Sequence, residues 1–386
     1  MLINCSGYLH LKYCKQDPVS NQSKEFASKI GEKLIVSGEL SQEDSKVVDS
    51  IYRLKSTIAN INNESLGEKK KLKIAIVGGS WSSNIGNAFY NVGAEWVLKQ
   101  LGHDVSFYPE SPRWKRDVND SYDPVADLDV DLVILMGPCL KDRLAYVYEN
   151  TFKKLYQRNI KVGYLSAGMA VYTQSEADLV EKIFNRYPPA FISTRDHECY
   201  RFFVNRVSCP IYSGICASMF LSDAIHPLKL AKNPYIVYNF DQVEPLLEID
   251  TYGVASVQTP SNNQPPSSHL NLDIIRTNNL SIDEGYDLIY RRPNVYHSDL
   301  PQGYCSILAG AQTVYSERLH TCAATLIYGR PAQYIPNSSR SYEKRNLIFD
   351  RIGVPEIFLK PQYLDMNYIS KEKSEMMKFL NKVIPA

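Results

Sequence analysis

Leu72-Lys73-Ile74-Ala75-Ile76-Val77-Gly78-Gly79-Ser80 is a short, mostly apolar, β-forming run that ends in a glycine turn. A run of this length suits a strand buried on both faces of a parallel sheet. The turn continues through Trp81-Ser82-Ser83-Asn84-Ile85-Gly86-Asn87, and the residues beyond predict a helix over 87–101 stopped by Gly102. Strand, glycine turn and helix together open an α/β unit.

The same logic repeats downstream. Strand candidates at 103–107 and Asp131-Leu132-Val133-Ile134-Leu135-Met136 are followed by a helix over 143–157. Val162-Gly163-Tyr164-Leu165 and Ala190-Phe191-Ile192-Ser193 add two strands with a helix over 175–185 between them, so this half reads as a parallel sheet with helical crossovers. Asn233-Pro234 marks a boundary, after which further strands are expected at 235–238, 253–257, 286–290, 312–315 and 332–335. Helices are expected at 305–309, 319–328, 342–351 and 371–383, and 259–269 is a loop by its Pro, Ser, Asn and Gln content. Upstream, apolar residues at helical spacing (Phe26, Ile30, Leu34, then Val47, Val48, Ile51, Leu54, Ile58) predict two amphipathic helices, with 64–71 a polar linker. The expected organisation is a helical extension over 1–70, a first Rossmann-like domain over 71–232, a second over 233–370 and a C-terminal helix over 371–386, with the two α/β sheets meeting at a cleft.

Bulk properties narrow the class. A chain of 386 residues suits two domains at roughly 150 residues each. With 43 Lys+Arg against 42 Asp+Glu there is no overall field to gather a polyanion, so nucleic acid is not an expected partner and any anion must be bound locally. The eight cysteines form no CxxC pair or regular framework and read as reduced core thiols. Neither a membrane-spanning run nor a cleavage signal is visible, which makes the cytoplasm the expected compartment; transient contact with a membrane surface would need neither. Metal-ligand spacing and a Gly-x-Ser-x-Gly elbow are also missing, so no metal or cofactor is expected.

Four constellations follow strand ends, where α/β sheets bind ligands. Gly78-Gly79-Ser80 with Asn84-Ile85-Gly86 offers close backbone approach and free N–H groups, or is simply a glycine-rich turn. Ile192-Ser193-Thr194-Arg195-Asp196 presents an arginine fork suited to carboxylate or phosphate, or else a surface ion pair; His197 beside it reads as an ordinary helix-start histidine. Ser316-Glu317-Arg318-Leu319-His320 gathers a cation, a histidine and a helix start, with a buried capping histidine as the alternative. Finally, Gly329-Arg330-Pro331 precedes a strand and then Ser339-Arg340-Ser341-Tyr342-Glu343-Lys344, whose basic residues would face the cleft or solvent. The 27 tyrosines define no site of their own.

Taken in order, these pieces resemble the polysaccharide pyruvyl transferase family. The resemblance spans about 72–355 and rests on Gly78-Gly79, Asn84-Ile85-Gly86, Gly93-Ala94, Val133-Ile134-Leu135-Met136-Gly137, Ile192-Ser193-Thr194-Arg195-Asp196, Ser316-Glu317-Arg318-Leu319-His320 and Gly329-Arg330-Pro331. The chain departs from the family pattern at Asn87, at Gly137-Pro138-Cys139 and at Ser213-Gly214, and 1–70 lie outside the resemblance.

The resemblance implies a fold similar to glycosyltransferase-B and phosphoenolpyruvate as donor substrate, with a nucleotide-linked or lipid-linked sugar of a cell-envelope or exopolysaccharide pathway as acceptor. It implies His320 and Arg195 as the catalytic candidates. Substrate binding would fall to Arg318, Leu319, Gly79, Ser80, Asn84, Gly86 and Lys344. Two other readings share the frame: a nucleotide-sugar-dependent glycosyltransferase, and an inactive sugar-binding relative. Oligomeric state is not legible.

Overall fold

The computed structural model of the chain describes residues 46, 49, 51, 53–60, 70–79, 84–110, 124–241, 244–257, 272–279, 292–298, 300–336 and 342–384. Its first sheet is built from β1 (Lys73–Gly79), β2 (Asp104–Glu110), β3 (Leu132–Met136), β4 (Lys161–Ala167), β5 (Ile192–Thr194) and β6 (Ile211–Ser213). They lie in the order β2-β1-β3-β4-β5-β6, every pairing parallel. β1 and β3 are buried along almost their whole length, which is why both read as continuous apolar runs rather than alternating ones. The crossovers use α1 (Ile85–Gln100), α2 (Arg143–Tyr146), α3 (Glu149–Gln157), α4 (Gln174–Arg186) and α5 (His197–Phe203). The single helix expected over 143–157 is therefore two pieces. A 3₁₀ turn at Ala217–Phe220 and α6 (Leu221–Ala224) lead out of this half.

The second sheet contains β7 (Tyr235–Asn239), β10 (Asp273–Thr277), β11 (Val314–Ser316) and β12 (Ala332–Tyr334) in the order β10-β7-β11-β12, again all parallel. Strands β8 (Leu247–Ile249) and β9 (Ala255–Val257) pair beside it as an antiparallel ribbon. α7 (Pro301–Gly310), α8 (Leu319–Ile327), α9 (Tyr342–Arg351) and α10 (Met366–Val383) complete the half. In each sheet the second strand lies on one side of the first and the third on the other, a topological switch point that opens a ligand crevice at the carboxyl strand ends. The α/β class read from the sequence is the class observed. The strand expected at 286–290 and the loop at 259–269 lie outside the described residues, as does the first of the two N-terminal helices.

One apolar cluster runs through both halves, joining Phe89 and Leu98 of α1, Phe220, Tyr304 of α7, Leu326 of α8 and Met377 of α10. Ile51, Leu54 and Ile58 enter it from the N-terminal extension, as their spacing requires. α10 begins five residues earlier than expected because Asp365 caps it, accepting from the N–H groups of Asn367 and Tyr368.

Candidate active site

The expected site residues of the second half sit on a hydrogen-bonded rim. Glu317 and Arg318 are the two residues between β11 and α8, and the Arg318 N–H donates to Ser316 Oγ at 2.9 Å. Ser316 Oγ donates to Asn239 Oδ1 at 2.7 Å, and Asn239 Nδ2 donates to Thr277 Oγ1 (2.9 Å) and Asn279 Oδ1 (3.0 Å). Three strand ends, β7, β10 and β11, are thereby locked in register. The Arg318 guanidinium, only 10% exposed, lies 2.8 Å from Asp241 Oδ2. Asp241 Oδ1 accepts the Asn279 N–H at 2.7 Å, and the Asp241 N–H donates to Glu317 Oε1 at 3.0 Å. The Asp241 carboxylate thus faces the Arg318 guanidinium and helps fix where it points.

The first half supplies the opposing side. Asn84 caps α1, its Oδ1 accepting from the Gly86 N–H at 2.9 Å. A Cβ on Gly86 would stand 3.3 Å from His320 Cβ and 3.1 Å from Asn279 Nδ2, so glycine here permits the two halves to touch. The Ile85 N–H donates to the Asn279 carbonyl at 2.9 Å across the same junction. Tyr90, one turn on, lays its ring 5.1 Å from that of His320. Its hydroxyl donates to Asn87 Oδ1 at 3.1 Å, and Gly137, at φ 70°, passes just beneath it. The starts of α1 and α8 therefore converge on His320. Gly79 is held from the same helix, its carbonyl accepting from Asn91 Nδ2 at 3.0 Å.

Arg195 follows β5 and is 13% exposed. Its Nε is buried and has no hydrogen-bond partner among the described residues, while Asp196 Oδ2 stands 3.9 Å away. Asp196 is no surface partner: fully buried, it caps α5 by accepting from the Cys199 N–H at 2.7 Å, and it accepts the Tyr172 hydroxyl at 2.6 Å. Burial works against the charge on Arg195, but the oxygens of Tyr172 and Asp196 and the Cys216 sulfur more than offset it, holding its pKa above the ordinary arginine value. Cys216 ties the two candidates together, since its Sγ lies 3.8 Å from His320 Nε2 and receives the Ser218 hydroxyl at 3.2 Å. The segment before it is held by Ser166, at φ 51° beside a break in the β4–β5 register, whose hydroxyl donates to the Ile215 carbonyl at 2.9 Å.

The structure thus gathers Asn84, Gly86, Arg318, Leu319 and His320 at one junction and brings Arg195 to it through Cys216. His197 stands apart, its Nδ1 3.2 Å from Ser213 Oγ. Ser80, Ser339 to Ser341 and the Lys344 side chain lie outside the described residues. Asn239, Asp241, Asn279, Tyr90, Tyr172 and Cys216 were not singled out from the sequence as site residues. Among the described residues no cluster of three or more His, Cys, Asp or Glu is placed to hold a metal ion, and no helix is long and apolar enough to cross a membrane.

The model of one protein family, described as polysaccharide pyruvyl transferase, matches residues 40–339. The chain belongs to that family. Membership makes this a polysaccharide pyruvyl transferase homologue whose Arg-x-His step and strand-end arginine lie at one junction. No curated protein matches the chain. Solved structures similar to this pyruvyl transferase homologue include an uncharacterised protein from Klebsiella pneumoniae, at 12% identity over 76% of this chain and 91% of the other, with a TM-score of 0.39. The UDP-GlcNAc 2-epimerase from Neisseria meningitidis gives 11% identity, 81% and 95% coverage, and a TM-score of 0.42. The Escherichia coli heptosyltransferase WaaC gives 13%, 71% and 91%, with a TM-score of 0.38. Likenesses of this size say nothing about substrate.

Proposed function

We propose that this chain transfers the pyruvyl group of phosphoenolpyruvate to two hydroxyls of one sugar, in a polysaccharide or its nucleotide-linked or lipid-linked precursor, forming a cyclic ketal and releasing phosphate. The observation that carries the reading is the convergence of Arg195, Arg318 and His320 where the starts of α1 and α8 meet. Phosphoenolpyruvate carries a carboxylate and a phosphate on the same carbon, C2. Two arginine forks and two helix N-termini match that pair of anions.

In the reaction, a proton is added to the methylene carbon, which leaves C2 electron-poor. One sugar hydroxyl forms a bond to C2, the C2–O bond to phosphate breaks, and a second hydroxyl adds to C2 to close the ring. The two hydroxyl protons end on the new methyl group and on the departing phosphate. His320 carries protons between these positions in this reading, which the Tyr90 ring packed against it and Cys216 Sγ near its Nε2 support. Arg195 and Arg318 hold the donor's charge while C2 changes its bonds. The cytoplasm, where phosphoenolpyruvate is made, is the compartment this chemistry needs.

The test is phosphate release from phosphoenolpyruvate with a panel of nucleotide-linked and lipid-linked sugars. His320→Ala and Arg195→Ala should each lower turnover by about 100-fold or more, with melting temperatures near wild type. Turnover within a few-fold of wild type in both variants would remove these residues from the mechanism. Stabilisation by a nucleotide diphosphate sugar, without phosphate release, would replace this reading with glycosyl transfer.

A further inference from the structure

Asn279 lies two residues beyond β10 and is 3% exposed. Its backbone is fixed at both ends, the N–H on Asp241 Oδ1 at 2.7 Å and the carbonyl on the Ile85 N–H at 2.9 Å. Its side-chain oxygen accepts twice, from Asn239 Nδ2 and from Thr321 Oγ1, each at 3.0 Å. Only Nδ2 is left over: it is buried and has no partner among the described residues.

The orientation of this amide follows from chemistry. The Arg318 N–H can only donate, so Ser316 Oγ accepts it; of the two acceptors within reach of the Ser316 hydrogen, Asn239 Oδ1 at 2.7 Å, a typical O–H···O length, takes it in preference to the Arg318 carbonyl at 3.4 Å. Asn239 Nδ2 must then face Thr277 and Asn279, and only an oxygen on Asn279 can receive it. Exchanging the Asn279 oxygen and nitrogen would set donor against donor. The chain of bonds therefore aims an N–H₂ group at the Gly86 start of α1, 3.1 Å from where a Gly86 Cβ would stand and beside His320.

A desolvated donor held this rigidly without an acceptor is stable only because the rest of the network holds it, and such groups in native structures call for a function. Its surroundings at that point include the N-terminus of the 16-residue helix α1 and the start of α8, which favour negative charge, and the Arg318 side chain, whose charge faces the Asp241 carboxylate. We propose that Asn279 is a substrate-binding residue of this site, its Nδ2 donating to an anionic oxygen of the bound donor next to His320. The proposal rests on the pyruvyl-transfer reading for the identity of that donor, but the anion contact itself does not depend on it.

Asn279→Asp is the informative variant, because it keeps an oxygen for Asn239 and Thr321 and replaces the donor with an acceptor of the same size. Two ligands are used: phosphoenolpyruvate, scored by the KM of phosphate release, and inorganic phosphate, scored by the shift in melting temperature. The expected result is a KM for phosphoenolpyruvate raised at least about 10-fold, with kcat reduced less, and loss of most of the stabilisation by phosphate. Asn279→Ser, which brings no charge into the buried network, serves if Asn279→Asp does not fold and carries the same expectation in weaker form. A folded variant with KM and phosphate stabilisation within two-fold of wild type overturns the assignment. A wild type that phosphate stabilises but that never turns over phosphoenolpyruvate refutes the pyruvyl reading alone, and the phosphate comparison still judges Asn279. A wild type that neither anion stabilises or engages overturns both.

Discussion

At the strand-end rim the two halves of the chain touch through the Ile85 N–H on the Asn279 carbonyl and through Gly86 against His320. Along α10 they meet differently. Phe379 stacks on Tyr212 of β6 at 5.0 Å and meets Phe191 edge-on at 6.3 Å, while Lys373 Nζ reaches Asp223 Oδ2 at 2.7 Å with both side chains out of solvent. The rim leaves two donors, Arg195 Nε and Asn279 Nδ2, without partners among the described residues, whereas the α10 contact leaves an acceptor, Asp223 Oδ1, on a carboxylate whose charge Lys373 compensates. A protein can leave donors unsatisfied where a ligand will use them only if packing elsewhere supplies the stability. Substitutions in α10 should therefore change folding and leave chemistry alone, with the reverse at the rim.

The largest effect on stability is expected at Lys373. Lys373→Met strands the Asp223 carboxylate in the core and should cost about 3–5 kcal/mol, read as a lower urea midpoint, while turnover per folded molecule stays at wild type. Burial, foremost, pushes the Asp223 carboxyl above the usual carboxylate range, and Lys373 offsets that only in part. A carboxyl with a raised folded pKa stabilises the fold at low pH and loses that contribution as pH rises. The deficit of Lys373→Met should accordingly be greatest near neutrality and shrink in acid. Replacing both partners, Asp223→Leu with Lys373→Met, should recover most of the loss. Turnover that falls in step with the lost stability would dissolve the distinction between α10 and the rim.

Gly93 tests a position that serves both regions. A Cβ there would stand 1.9 Å from the Ala217 carbonyl oxygen, which is backbone and has little room to yield. Gly93→Ala should push α1 off the 3₁₀ turn at Ala217–Phe220 and cost about 1–3 kcal/mol by overpacking. Because α1 also carries Asn84, Gly86 and Tyr90 to His320, turnover should fall by more than the unfolded fraction explains. A purely thermal deficit, with normal turnover at low temperature, would mean that the rim keeps its geometry when α1 shifts.

Much of this was visible in the sequence because it is local. The 72–80 run, the arginine after β5 and the helix start at Leu319 are each read within a few residues, and α8 and α9 begin where expected. What was not visible is assembled from distant pieces. Asn239, Asp241 and Asn279 are unremarkable polar residues until β7, β10 and β11 bring them together. β10 itself was missed, since its Asp273-Ile274-Ile275-Arg276-Thr277 is half-buried and carries an arginine whose partners, Glu244 and the Pro293 carbonyl, are far along the chain. Cys216 read correctly as a buried thiol, but burial gives no hint of which side chain it touches. Spacing within α10 cannot show that Asp223 covers Lys373.

The smallest effect sharpens the comparison from the apolar side. Burial pushes the Cys305 thiol in α7 up to about 12 from an ordinary 9.0, and Cys209 to about 11. Between pH 9 and those values the unfolded chain releases protons that the folded chain retains. The stabilisation is therefore complete below pH 9 and is lost as pH climbs through 11 to 12. One such thiol should cost about 1 kcal/mol of stability by pH 10, measured as the urea midpoint across an alkaline series. Cys305→Ala should start less stable at pH 8, because it removes a packed side chain, and then fall less steeply. Tyr212, Tyr235 and Tyr238, each raised to about 12 by burial, act in the same sense at higher pH. An unchanged slope in Cys305→Ala would assign the alkaline loss to those tyrosines. A shallower slope would place it in α7, whose Tyr304 hydroxyl donates to the Asn278 carbonyl beside the rim, so the apolar core would then be supporting the site directly.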